Sequence, residues 1–182
     1  MDRLKKAALL THLVERLRAQ GSWCGETHVQ KATYFLQELL KVPTGFTFVL
    51  YKHGPFSFDL RDELTALRAD DLIKLELQPP PYGPRLAPNP RSKHLQEVSS
   101  RTLAKYEDRI GFVAEKIGAR NVSDLERLAT ALYVTAQLGK CVSSAVRAKE
   151  LTALKQHVSP EAAEAAIQEI DRVSGEAGQM LN

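Results

Sequence analysis

The sequence predicts an α+β, predominantly helical protein. Amphipathic helical spacing recurs along most of the 182 residues. Two short apolar runs, residues 46–51 and 72–77, carry the alternation of strands. A proline-rich segment, residues 78–94, separates these mixed elements from an all-helical remainder. Together they describe a winged-helix-like N-terminal half with a small antiparallel sheet, packed on a C-terminal helical bundle. The expected divisions are 1–94 for the first half, 95–173 for the bundle and 174–182 for a disordered, Gly-containing tail.

In the first half, Leu10, Leu13, Val14 and Leu17 share one helix face, and Gly21 ends that helix. Thr27 with Gln30 reads as a capping box for a second helix over 28–41. Val29, Ala32, Tyr34, Phe35, Leu36, Leu39 and Leu40 make it apolar nearly all round, the pattern of a central buried helix. Phe46, Phe48 and Leu50 then alternate with Thr47, Val49 and Tyr51. That run is apolar on both faces, so a strand covered on both sides is expected. Gly54 and Pro55 make a stiff corner, since glycine accepts unusual backbone angles and proline fixes its own φ. Ser57 fits an N-cap, and Leu60, Leu64 and Leu67 lie on one face of the helix it opens. Leu72, Ile73, Leu75 and Leu77 suggest a second strand. Pro79, Pro80, Pro81, Pro84, Pro88 and Pro90 then exclude a helix or a central strand. Residues 78–94 are expected to form a protruding hairpin or an extended loop.

The second half reads as four helices. Leu103, Tyr106, Ile110, Val113 and Ile117 keep helical spacing to Gly118. Ser123 with Glu126 reads as a capping box for the next helix, with Leu125, Leu128, Leu132 and Ala136 on its face. A shorter helix covers about 144–156. Ser159 caps the last, with Pro160 at its first position and Ala163, Ile167 and Ile170 on one face.

The net charge of +3 is too small to argue strongly for nucleic acid. Cys24 and Cys141 are the only cysteines. Free thiols in a reducing compartment, hence the cytoplasm, are the expectation. No apolar stretch approaches the roughly 20 residues that cross a bilayer, so no membrane partner is expected.

No Gly-rich phosphate loop, GxSxG, HExxH or CxxC occurs. His12, His28, His53, His94 and His157 lack a second ligand at metal spacing, so no metal, cofactor or catalytic residue is expected. Cys24 lies four residues before His28, but a thiolate–imidazole pair needs spatial contact and a third group. A buried, inert Cys24 is the plainer expectation. Asp59, Asp62 and Glu63 sit at neighbouring helix positions and fit a solvated face better than a hydrolytic pair.

Candidate binding residues fall in two places. Tyr51, Lys52, His53 and Arg61 surround the stiff corner and suit a carboxylate, phosphate or backbone group. The blander alternative makes Lys52 and His53 solvated and Tyr51 core. Tyr82, Arg85 and Arg91 belong to the proline-rich segment, which can present groups to a protein partner. Residues 57–71 carry five acids and two bases, which disfavours major-groove reading by that helix. Arg85, Arg91, Lys93 and the basic first helix leave nucleic acid open as a backbone-only or wing-led partner.

The stretch THVQKATYFLQELLKV, residues 27–42, followed by FTFVLYKHGPFSFDLRDELTALRADDLI, residues 46–73, resembles the YwgA-like proteins. There a KLQKLxYLL-type helix precedes a YxHGPYS-type turn. LERLATALYV, Leu125 to Val134, is similar to the helix that opens that family's C-terminal half. The resemblance spans about residues 1–172. More distantly, Tyr51-Lys52-His53-Gly54-Pro55 is similar to the W/YKYGPV-type turn of the SocA-like antitoxin domain, also called Panacea. This chain departs from it with Phe56-Ser57-Phe58 after the proline. The resemblance implies a non-enzymatic module that binds another protein, as an antitoxin or adaptor. Fold transfers better than function, and a homodimer is left open by the sequence.

Overall fold

The computed structural model describes residues 1–181; Asn182, the end of the expected tail, lies outside them. The chain runs α1 (Arg3–Ala19), α2 (Glu26–Glu38), β1 (Val49–Tyr51), β2 (Gly54–Phe56), α3 (Phe58–Ala69), β3 (Ile73–Glu76) and β4 (Arg85–Pro88). It continues through α4 (Pro90–Val98), α5 (Ser100–Ile117), α6 (Val122–Leu138), α7 (Ser144–Leu154) and α8 (Pro160–Leu181). The protein is thus mostly helical, with short antiparallel strands.

Helix α2 is the centre, buried continuously from His28 to Leu36. Around it Leu13 and Leu17 of α1, Leu60 and Leu67 of α3, Ile110 of α5, Leu132 of α6 and Ile167 of α8 belong to one apolar cluster. Both halves therefore share a core. The expected faces hold: Leu60, Leu64 and Leu67 are buried on α3, and Leu103, Tyr106, Ile110, Val113 and Ile117 on α5.

The strands form two separate two-stranded sheets, β1–β2 and β3–β4. The stiff corner is itself a hairpin: Tyr51 pairs with Gly54 and Val49 with Phe56, leaving Lys52 and His53 as the loop. The expected strand over 46–51 is therefore shorter, and it is not covered on both sides. Val49 is 43% exposed and Tyr51 56% exposed, because only the opposite face packs on the helices. The proline-rich segment is the hairpin alternative, with Ile73 paired to Pro88 and Glu76 to Arg85. Its later part is helix, since Pro90 takes the first position of α4, where no N–H is needed.

Two expected capping boxes are absent. Gly25 is the N-cap of α2, and Asn121, which accepts from Asp124 N, caps α6. Gln30 and Glu126 are instead drawn into long-range contacts. Ser57 and Ser159 cap as expected, accepting from Leu60 N and Ala162 N. The expected disordered tail is helical through Leu181. Val173 and Ala177 extend the stripe of Ile167 and Ile170 into the core, and that burial outweighs the weak helix propensity of Gly175 and Gly178.

Candidate partner-binding site

The β1–β2 hairpin is held from below by buried polar groups that the sequence does not reveal. Gly54 has φ +83°, and a Cβ there would meet Thr130 Oγ1 at 3.0 Å and Glu126 O at 3.4 Å. Only glycine meets both demands, so the hairpin lies directly on α6. Lys31 of α2 is 1% exposed, and its Nζ donates to Pro55 O at 2.8 Å. Next to it Gln30 clamps Ser57 from both sides: its Nε2 donates to Ser57 O at 2.9 Å, and its Oε1 accepts from Ser57 N at 3.0 Å.

A third tie comes from the far end of the chain. Lys155, just after α7, donates to Lys52 O at 2.6 Å and Tyr51 O at 3.3 Å. The same ammonium lies 2.9 Å from Glu126 Oε1. His53 Nδ1 is 3.3 Å from Glu126 Oε2, and His157 Nε2 is 3.7 Å from Oε1. Glu126 is thus the acid of a largely buried ionic latch. Burial alone would raise its pKa, but the Lys155 ammonium and the His53 contact hold it below the usual carboxylate range. Burial pushes the Lys31 ammonium down to about 8, which Glu126 only partly offsets.

Above this latch the hairpin and the first turn of α3 present an aromatic surface. The Tyr51 and Phe56 rings are 5.8 Å apart, Tyr51 and Phe58 5.5 Å, and Phe56 and Phe58 5.1 Å. The last two pairs meet edge to face, the arrangement that ring quadrupoles favour. The Arg61 guanidinium lies 5.2 Å from the Phe58 ring centre. Phe58 is 42% exposed, so with Val49 and Tyr51 it forms an apolar patch open to solvent.

Of the sequence-selected residues, Tyr51, Lys52, His53 and Arg61 gather at this hairpin. Tyr82, Arg85 and Arg91 lie on or beside the other one. Tyr82 stacks on Trp23 with ring centres 5.0 Å apart. Arg85 lies over the same indole, and its Nε donates to Trp23 O at 3.1 Å, so it braces the fold. Arg91 is exposed in the first turn of α4. Sequence reasoning missed Lys31, Glu126 and Lys155, together with the exposed Val49 and Phe58 and the half-buried Phe56. The FSF tripeptide after the proline was the available signal for the aromatic part.

Other candidates are placed apart. Cys24 is buried, its thiol pushed up to about 12 by desolvation, and its Sγ donates to Val14 O. His28 Nε2 instead faces Arg120 O at 3.1 Å. Asp59 and Asp62 are exposed, while Glu63 pairs with Arg3 at 3.2 Å. Among the described residues no group of His, Cys, Asp or Glu is arranged to hold a metal ion, and no helix is long and apolar enough to cross a membrane. The arginines of the basic first helix are paired internally: Arg3 with Glu63 and Asp70, Arg16 with Glu107, and Arg18 with Glu76.

Comparison with protein-family models, with curated proteins and with solved structures returned no match.

Proposed function

We propose that this chain is a non-enzymatic protein-binding module of antitoxin or adaptor type, acting in the cytoplasm on a toxin or regulated partner. The observation that carries the reading is the exposed apolar face of Val49, Tyr51 and Phe58, mounted on a hairpin fixed by buried ions. A surface held rigid before binding loses little conformational freedom on contact, and exposed aromatic side chains with an arginine are the usual anchors of protein interfaces. The resemblance to antitoxin domains through the YKHGP turn points the same way. In this reading the N-terminal half is winged-helix-like, with the β3–β4 hairpin as wing.

Affinity purification from the native host tests it. The intact chain is expected to bring down a partner that Phe58→Ser loses while still folding cooperatively, its melting temperature lowered by no more than a few degrees through the lost ring contacts. Purification alone, from an extract prepared at low salt, contradicts the proposal. A second reading, DNA contact beside the wing, draws on Arg91 and Lys93, which are exposed and without an acid partner among the described residues. It predicts duplex binding that weakens steeply with salt. Salt-independent or absent binding removes it. The internal pairing of the α1 arginines favours the protein partner.

A further inference from the structure

From the backbone geometry of the first hairpin we infer that the partner's contact segment is an extended, acidic and alternately apolar peptide that pairs with β1 as a third strand. The inference rests on the protein-binding reading above and specifies what that site recognises. The argument begins with the hairpin's two edges. In a two-residue hairpin the closing pair, here Tyr51 and Gly54, is hydrogen-bonded, so the next pair, Leu50 and Pro55, is not. Pro55 fits there because it has no N–H to give. Both residues therefore aim their backbone groups away from the partner strand.

On the β2 side the outward groups are satisfied: Lys31 takes Pro55 O, and Gln30 takes both backbone groups of Ser57. On the β1 side, Leu50 N–H and C=O have no partner among the described residues. Leu50 is only partly buried, so water is their alternative. An open strand edge beside an exposed apolar face is the geometry of strand addition, in which main-chain bonds give affinity and alternate side chains give specificity. The face offers Val49 and Tyr51 at alternate positions, with Phe58 next to them, so the added strand must be apolar at alternate positions too.

Charge sets the remaining chemistry. Around the hairpin Lys31 is buried, Lys155 is held by Glu126 and Arg61 lies 3.6 Å from Asp62, which leaves Lys52 as the exposed cation beside the open edge. Lys52, at the loop, has no acid within ion-pairing distance among the described residues. An acidic residue of the incoming strand placed next to the loop meets that cation.

A displayed library of short random peptides, selected on the intact protein, supplies the probe. Selected peptides are expected to alternate apolar and polar residues and to be acidic. A synthetic one is expected to slow hydrogen exchange at the Leu50 amide by about 100-fold, since that N–H becomes bonded. Phe58→Ser is expected to weaken its binding about tenfold, the loss of one interface anchor. Peptides without alternation, or bound peptides that leave Leu50 exchange unchanged, overturn the strand-addition inference. Such peptides that still depend on Phe58 leave the protein-binding reading standing. Leu50 protection that rises with protein concentration and no peptide present also overturns the inference, because the occupant is then a second copy of this chain.

Discussion

The two hairpins share an antiparallel topology, yet they are held by opposite means. In β1–β2 the loop is two residues and the supports are buried ions and amides: Lys31, Gln30, Lys155 and Glu126. In β3–β4 the strands are joined through residues 77–84, and the supports are ring stacking and main-chain contacts. Trp23 stacks on Tyr82, Leu86 N donates to Cys24 O at 2.8 Å, and Arg18 Nη1 donates to Leu86 O at 3.1 Å. Each hairpin has one edge sewn to the helical body. The lesson is that a short strand pair, marginal alone, is stabilised by what caps its inner edge. The ionic latch fixes one geometry more sharply than stacking does, and it lies beneath the surface assigned to the partner.

The largest effect is expected from Glu126→Ala. It leaves the Lys155 ammonium buried without its carboxylate, a loss of about 3–5 kcal/mol in denaturant-induced unfolding. A loss below about 1 kcal/mol would mean that Lys155 finds water, and that the latch is less buried than it looks.

Lys31 gives an alkaline signature of similar size. Its folded pKa, about 8, lies below the ordinary lysine value of 10.5, so between those pH values the unfolded chain holds more protons. Stability from this group therefore rises with pH across that window, by about 3 kcal/mol at most. The Cys24 thiol, pushed from 9.0 up to about 12, acts in the opposite sense from about pH 9 upward, overlapping the upper part of that window. The test is thus a difference: relative to Lys31→Met, the natural chain gains stability from pH 8 to 10. A flat difference would place water beside the ammonium.

Gly54→Ala combines left-handed backbone with contact against Thr130 and Glu126, and is expected to cost about 2–3 kcal/mol. Fast exchange of hairpin amides in that variant would locate the damage. The smallest effect is expected in the other hairpin. Tyr82→Ala removes one ring pair at a 62% exposed residue and should cost about 0.5–1 kcal/mol. If it matches Glu126→Ala, the contrast between ionic and stacked hairpins collapses.

The sequence makes the helices legible because burial is periodic. Leu60, Leu64 and Leu67, or Ile110, Val113 and Ile117, declare their faces within a few turns. The latch is not legible, because its members lie far apart. Lys31 meets Pro55 across 24 positions, and Lys155 meets Lys52 across 103. A lysine on a helix ordinarily reads as solvated, and only the close approach of Gly54 to α6 brings these ions together beneath the hairpin. The same contacts explain the missing capping boxes, since Gln30 and Glu126 face the hairpin and not their own helix ends. The YKHGP corner was visible as a rigid turn. That Pro55 belongs to a strand follows from its pairing with Leu50, which sequence alternation does not encode.

The most direct measurement is the affinity of a partner captured from the host, titrated by calorimetry against the natural chain and against Phe58→Ser. The aromatic face on the latched hairpin predicts binding about tenfold weaker in the variant, which remains folded at the temperature of the titration. Equal affinities would contradict it.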